Sequence, residues 1–169
     1  TTAATHSINP ALYPAMPYDP VRDFSPVGMI ASTPLMLVTG ASGPLRSLAD
    51  VLGQAKAQPR SISYASAGNG TMQHIAGELM ESMGKVQAVH VPYKGSGQVM
   101  PDLVAGRVSI MFNSVAAVAP LVKDGRLRAL AVTTPKRLAG WPDVPTMGEA
   151  GLPGFEASAW YAVFGPAGV

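Results

Sequence analysis

Residues 63–74 run SYASAGNGTMQH. A run of β-type residues stops, a loop of small residues follows, and a helical pattern opens at Met72. From there Met72, Ile75, Ala76, Leu79, Met80 and Met83 recur at the spacing of one helix face. Gly84 is expected to close that helix at its C′ position. Strand, small polar loop and helix, in that order, are the repeating unit of a parallel α/β sheet.

The same unit recurs on either side. Upstream, PLMLVTG (34–40) reads as a buried strand and SLADVLGQAKAQP (47–59) as a helix. Ser47 is its expected N-cap, with Asp50 completing a capping box. Leu48, Val51, Leu52 and Ala55 line one face, and Pro59 ends the pattern. Downstream, VQAVHVPY is a strand, KGSGQ a loop, and VMPDLVAG a short helix with Pro101 expected in its first turn. RVSIMFN, SVAAVAPLVKDG and LRALAVTT then read as strand, helix and strand. A loop-rich tail follows, with a short helix expected near Thr146 to Ala150 and a last strand in ASAWYAVFGPAG. At the other end, HSINPALY suggests a short helix and MPYDPVRDF a Pro-punctuated connector. The expected class is α/β, a mostly parallel sheet with helices on both faces.

Composition narrows the function. The chain has 169 residues, 47% hydrophobic and only 13% charged, so it can build a core and is no disordered segment. The net charge of +2 comes from scattered residues, which argues against nucleic acid as a partner. With no cysteine there are no disulfides, thiolate metal sites or cysteine nucleophile. No apolar run reaches the roughly 20 residues of a membrane span, so direct membrane insertion is not expected. The opening, TTAATHSINPAL, reads as the inside of a longer protein.

Three strand-to-helix junctions share one character: residues 65–71, 93–98 and 112–116. In a parallel sheet all three lie at the carboxyl edge, where open α/β sheets bind ligands. A helix N-terminus and glycines together favour an anion. A nucleotide fits poorly. The phosphate loop G-x-x-x-x-G-K-[ST] lacks its Lys, and G-x-G-x-x-G fails at Gln73. A carboxylate needs only a few donors, and Ser66, Asn69 and Thr71 supply them. The plainer alternative, a tight turn with an N-cap, explains the same residues. For a hydrolase, Gly95-Ser96-Gly97 falls short of the G-x-S-x-G elbow. His6, His74 and His90 have no evident Ser and acid partners. No His, Asp or Glu cluster has metal-ligand spacing, the Met residues at 72, 80 and 83 read as core packing, and no cofactor is implied.

Five stretches together carry a resemblance: HSINPALYPAMPYDPVRDFSPV, YASAGNGTMQHIAGELM, VHVPYKGSGQVMPDLVAGRVSIMF, GRLRALAVTTPKR and PDVPTMGEAGLPGFEASAWYAVFGPAG. They are similar to the periplasmic substrate-binding proteins of tripartite tricarboxylate transporters, the Bug (TctC-like) family, over essentially the whole chain. The resemblance implies a Venus-flytrap fold, of which mainly one lobe is present. Residues 1–32 would be a fragment of the first lobe, 33–158 the second lobe, and 159–169 a return hinge strand, with crossings near Pro34 and Trp160. The family's opening P-F-x-P-G-G-x-x-D loop and its C-terminal helical part have no counterpart here. The resemblance also implies a periplasmic, non-catalytic protein that takes a small organic carboxylate between its lobes and delivers it to membrane transporter subunits. Carried over by position, the ligand-binding residues would be Ser66, Ala67, Gly68, Asn69 and Thr71, bordered by Tyr93, then Asn113 and Ser114. On the first-lobe side they would be Thr2 and His6, where His6 either donates to the ligand or caps a turn. Many relatives have Asp where this chain has Asn113, which disfavours a ligand bearing an ammonium group. A ligand-sensing domain of a transcription regulator, and a serine hydrolase using Ser66 or Ser96, are the alternative readings.

Overall fold

The structure is a computed structural model and describes residues 1–168; Val169, the last residue of the expected return strand, lies outside the described residues. A π-helical turn, Ala4–Ile8, runs into the one-turn helix α1, Asn9–Leu12. Strand β1, Phe24–Gly40, is 17 residues long, so the strand expected at 34–40 is only its buried C-terminal part. Its first part, SPVGMIAS, carries Pro and Gly and is exposed, which is why no periodicity announces it. The rest follows the expected alternation: α2 (Leu48–Ala57), β2 (Ser63–Ser66), α3 (Met72–Gly84), β3 (Val89–Pro92), α4 (Ser96–Val104), β4 (Ile110–Ser114), α5 (Val115–Lys123), β5 (Leu127–Val132) and β6 (Ser158–Pro166).

The strand order is β3-β2-β4-β1-β5, with β6 paired to β1 outside this path. β2 is parallel to β3 and β4, while β1 is antiparallel to β4 and β5. The sheet is therefore mixed: β2, β3, β4 and β5 share one direction and β1 opposes them. Leu35 pairs with Ser114 and Pro34 with Ser158. β1 thus enters, and β6 leaves, at the edge where β4 ends. Beyond that edge the two strands form an antiparallel ribbon from Phe24↔Pro166 to Pro34↔Ser158.

Side chains alternate across the sheet with the strand period of two. Leu35, Leu37, Tyr64, Ile110 and Phe112 pack under α2 and α3, with Leu152 and Phe155 from the tail. Met36, Val38, Ala65 and Met111 pack on the other face under α4 and α5, with Trp141. Helices on both faces are thus present. The Ser47 capping box is formed: the Asp50 N–H donates to Ser47 Oγ (3.1 Å) and the Ser47 N–H to Asp50 Oδ2 (2.9 Å). The Arg46 N–H, and then the Ser47 hydroxyl, hold the Asp50 carboxyl below its usual range.

Three local expectations are corrected. The left-handed residue after α3 is Lys85 (φ 51°), not Gly84. A Cβ at Gly84 would stand 2.8 Å from Leu52 Cδ2, so glycine there serves helix packing. Helix α4 starts at Ser96, which puts Pro101 inside it instead of in its first turn. The segment at 146–150 is a hydrogen-bonded turn, closed by the Ala150 N–H on Thr146 O (3.0 Å), and not a helix. Among the described residues, no helix is long and apolar enough to cross a membrane.

Candidate functional site

A cleft of about 300 Å³ lies at the carboxyl edge of the sheet. Each of the three small-residue junctions reaches it. Thr71, Met72 and Gln73 come from the start of α3, Ser96 from the start of α4, and Asn113, Ser114 and Ala117 from the β4–α5 junction. The opposite side is Thr2, Ala3 and Ala4 from the N-terminal segment, with Leu35, Ala159 and Tyr161 from the ribbon strands. The chain passes from β2 to β3 on one side, then to β4 on the other. That reversal is the switch point at which open α/β sheets place ligands.

The cleft offers hydroxyl and amide groups and no fixed charge. None of its lining residues is charged. It also offers helix N-termini. Helices α4 and α5 have no side-chain cap, which leaves their first-turn amides for something else. Helix α3 is capped by Thr71, whose Oγ1 accepts from the His74 N–H at 3.5 Å and donates to Gly68 O at 2.7 Å. Two walls are tied together below: Gln73 Nε2 donates to Asn113 Oδ1 (3.2 Å), which also accepts from the Ser114 N–H (2.8 Å). The amide oxygen of Asn113 is thereby occupied and its side chain is nearly buried.

Of the residues expected from the sequence, the structure brings Thr2, Thr71, Asn113 and Ser114 together around this cleft. Ser66, Ala67, Gly68, Asn69, Tyr93 and His6 are not among its lining residues. Ser66 is fully buried, its hydroxyl 2.7 Å from His90 Nε2 and accepting from the Gly68 N–H at 3.1 Å. Gly68 (φ 136°) and Gly70 (φ 76°) give the loop backbone angles that disfavour other residues. Asn69 is exposed on the loop. Tyr93 turns away and donates to Asp102 Oδ2 (2.7 Å); this bond, with Arg107 beside it, holds the Asp102 carboxyl below its usual range. His6 lies between Phe24 and Phe164, its Nδ1 3.0 Å from Thr1 Oγ1. The sequence reading missed Gln73, Ser96 as a lining residue, and Tyr161. The signal was available for the first two: they stand at the first or second position of helices that follow the small-residue loops.

The profile of the TctC family, the tripartite tricarboxylate transporter family receptor, matches residues 1–169. The chain belongs to this receptor family. It is 44% identical over 157 residues to the UPF0065 protein in the tcbD–tcbE intergenic region of Pseudomonas sp., covering 92% of this chain and 47% of that protein. It is 36% identical over 168 residues to the protein BugT of Bordetella pertussis, covering 99% of this chain and 52% of BugT. Among solved structures, R. palustris Rpa4515 with adipate superposes with a TM-score of 0.91 at 39% identity, covering 99% of this chain and 56% of that one. MatC (Rpa3494) from Rhodopseudomonas palustris with bound malate does so at 0.87 and 31%, covering 99% and 57%. The receptor chain therefore spans about half the length of the relatives it matches. Its fold is the α/β architecture of these binding proteins. The family is one of transporter receptors, and the Ser–His pair of the loop region, Ser66 and His90, is sealed under the loop with the serine fully buried.

Proposed function

We propose that this chain is about half of a periplasmic solute-binding receptor that captures a small carboxylate in the cleft and delivers it to the membrane subunits of a tripartite tricarboxylate transporter. The observation that carries this reading is the convergence of three helix N-termini on one cleft with no charged lining residue. Such a site favours a carboxylate, supplies several amide donors, and offers no fixed counter-ion to an ammonium group. Adipate and malate in two relatives support the same class. In this reading Ser96 and Ser114 donate beside the amides, Thr71 holds the head of α3 at the rim of the cleft, and Thr2 and Tyr161 close from the ribbon side. Ser66 to Asn69 act through the shape of the loop. Residues 33–158 form one lobe, residues 1–32 and 159–169 belong to a second, and the β1/β6 ribbon near Pro34 and Trp160 is the connection between them.

The test is a thermal-shift screen of a chain of the relatives' full length. The panel holds C4 to C8 dicarboxylates, citrate, aromatic acids, amino acids and neutral compounds. A ligand at 100 times its Kd adds about 2.7 kcal/mol to stability, a readily visible shift in melting. A shift confined to carboxylates is expected. A shift with neutral or cationic compounds alone overturns the reading.

A further inference from the structure

Beneath the loop at 66–71 lies a stack of three rings. Tyr64 of β2 packs on His90 of β3 at 4.9 Å between ring centroids, and His90 packs on His74 of α3 at 4.1 Å, with interplanar angles of 21° and 20°. Each histidine grips a different point of the loop. His90 Nε2 lies 2.7 Å from Ser66 Oγ, and His74 Nδ1 accepts the Gly70 N–H at 3.2 Å. A backbone amide can only donate, so this second bond settles the state of the ring. Nδ1 of His74 is bare, and the proton of the neutral imidazole sits on Nε2, 3.5 Å from Glu78 Oε1. A further proton has only Nδ1 to go to. There it would set one N–H against another and break the hold on Gly70.

The charged and titratable groups facing the stack come from two elements. Helix α3 supplies Glu78, which also accepts the Tyr64 hydroxyl, and Glu81, which accepts the Ala88 N–H. Strand β2 supplies Tyr64. The stack and loop also meet Ile110 of β4, opposite Tyr64, and Leu12 of α1 and Ile8 of the turn before it, at Gly70, none of which titrates. Burial, and then the charge of His74, push His90 below the ordinary histidine range, against a weaker pull from Glu78. Two rings this close do not both carry charge.

We propose that His74 and His90 form a proton-sensitive clamp on the loop that heads α3: with both rings neutral they hold Ser66 and Gly70, and a proton on His74 releases Gly70 and weakens carboxylate binding. This rests on the reading of the cleft as a carboxylate site. His74 is a positioning residue here, since it does not line the cleft, whereas Thr71, next to Gly70, does.

The experiment titrates the full-length protein with adipate and with malate at about pH 8 and about pH 6, a window in which histidines ionise and most carboxylates stay charged. Binding is expected to weaken about fivefold at the lower pH, the scale of one backbone hydrogen bond. In His74→Asn the side-chain oxygen can accept from Gly70 without titrating, so the pH dependence should vanish. In His74→Leu the affinity should be low at both values. A second readout needs no ligand: the Gly70 amide resonance should move with pH in the wild type and not in His74→Asn. Affinity that is flat or stronger on acidification in the wild type, or an unchanged pH dependence in His74→Asn, overturns the clamp while leaving carboxylate binding intact. Failure to bind any carboxylate at either pH strikes the functional reading instead. The Gly70 resonance then decides whether the loop is clamped, and a resonance that does not move overturns the clamp as well.

Discussion

At the scale of single residues, the site depends on positions whose role lies in what they leave room for or leave uncharged. Gly77 faces the Tyr64 ring so closely that a Cβ there would fall 2.2 Å from Tyr64 Cε2. Tyr64 is fully buried and its hydroxyl is held by Glu78, so the ring cannot step aside. Gly77→Ala gains helix propensity but overpacks the core, and the second effect is larger. We expect a net loss of about 1–3 kcal/mol, read from the denaturation midpoint. An unchanged midpoint would mean that the stack shifts freely and does not hold the loop rigidly. Asn113 acts through charge. Aspartate in its place can still accept from Gln73 and Ser114, so the fold should survive. The new negative charge would oppose a bound carboxylate by about 1–3 kcal/mol, weakening adipate and malate about five- to a hundredfold in calorimetry. Amino acids should lose less or gain. Equal losses for both classes would remove Asn113 from any role in selecting the ligand. That Asn113 lines the cleft was legible from its place at the end of a strand. Ser66 shows the limit of such reading: its type and position suited a ligand donor, yet strand β2 points it inward and His90 takes its hydroxyl.

At the scale of elements, the alternating strands and helices from β2 to β5 were readable because each buries one periodic face. The course of β1 was not. Its exposed part lacks a periodic face, and its direction is set by where the chain arrives, which no local pattern encodes. The helix expected at 146–150 fails for a related reason: Thr146 and Glu149 satisfy each other's backbone N–H groups in a single turn, and the chain needs no further helical bonds. Where β1, β5 and β6 meet, one side chain joins all three. Thr133 follows β5 and is fully buried. Its Oγ1 accepts the Leu35 N–H at 2.9 Å and lies 2.5 Å from Ala157 O, just before β6 begins. Thr133→Val keeps the shape and removes the hydroxyl, leaving a buried donor and acceptor unpaired. A loss of about 1–3 kcal/mol is expected, together with faster amide exchange at Leu35 and along the start of β6. Lost stability without faster exchange at these positions would show that Thr133 packs the core and does not fasten the ribbon.

At the scale of the whole molecule, the two sides of the cleft differ in kind. The sheet side is a packed α/β body with a core on each face. The other side is a ribbon and a short helical segment, and the large apolar side chains on them remain in water: Val27, Met29, Ile30, Tyr161, Val163 and Leu12. Monomeric proteins rarely leave such a group uncovered. The relatives are about twice as long as this chain, so there is enough additional sequence in a full-length receptor to cover it. The binding consequence can be stated in numbers. A carboxylate held by the sheet side alone would lack the donors of a second lobe. Each hydrogen bond to a charged group contributes about 1.5–3 kcal/mol, so two missing ones cost at least about 3 kcal/mol, or about a hundredfold in affinity. We therefore expect the 169-residue chain to bind adipate at least about a hundredfold more weakly than a chain of the relatives' length, measured by calorimetry on both. The longer chain should also protect the ribbon amides from exchange even before ligand is added, because burial of the apolar side chains does not depend on it. Equal affinities would mean that the three helix N-termini, Thr2 and Tyr161 already make the complete site, and the ribbon would then be a wall of the cleft and not a hinge.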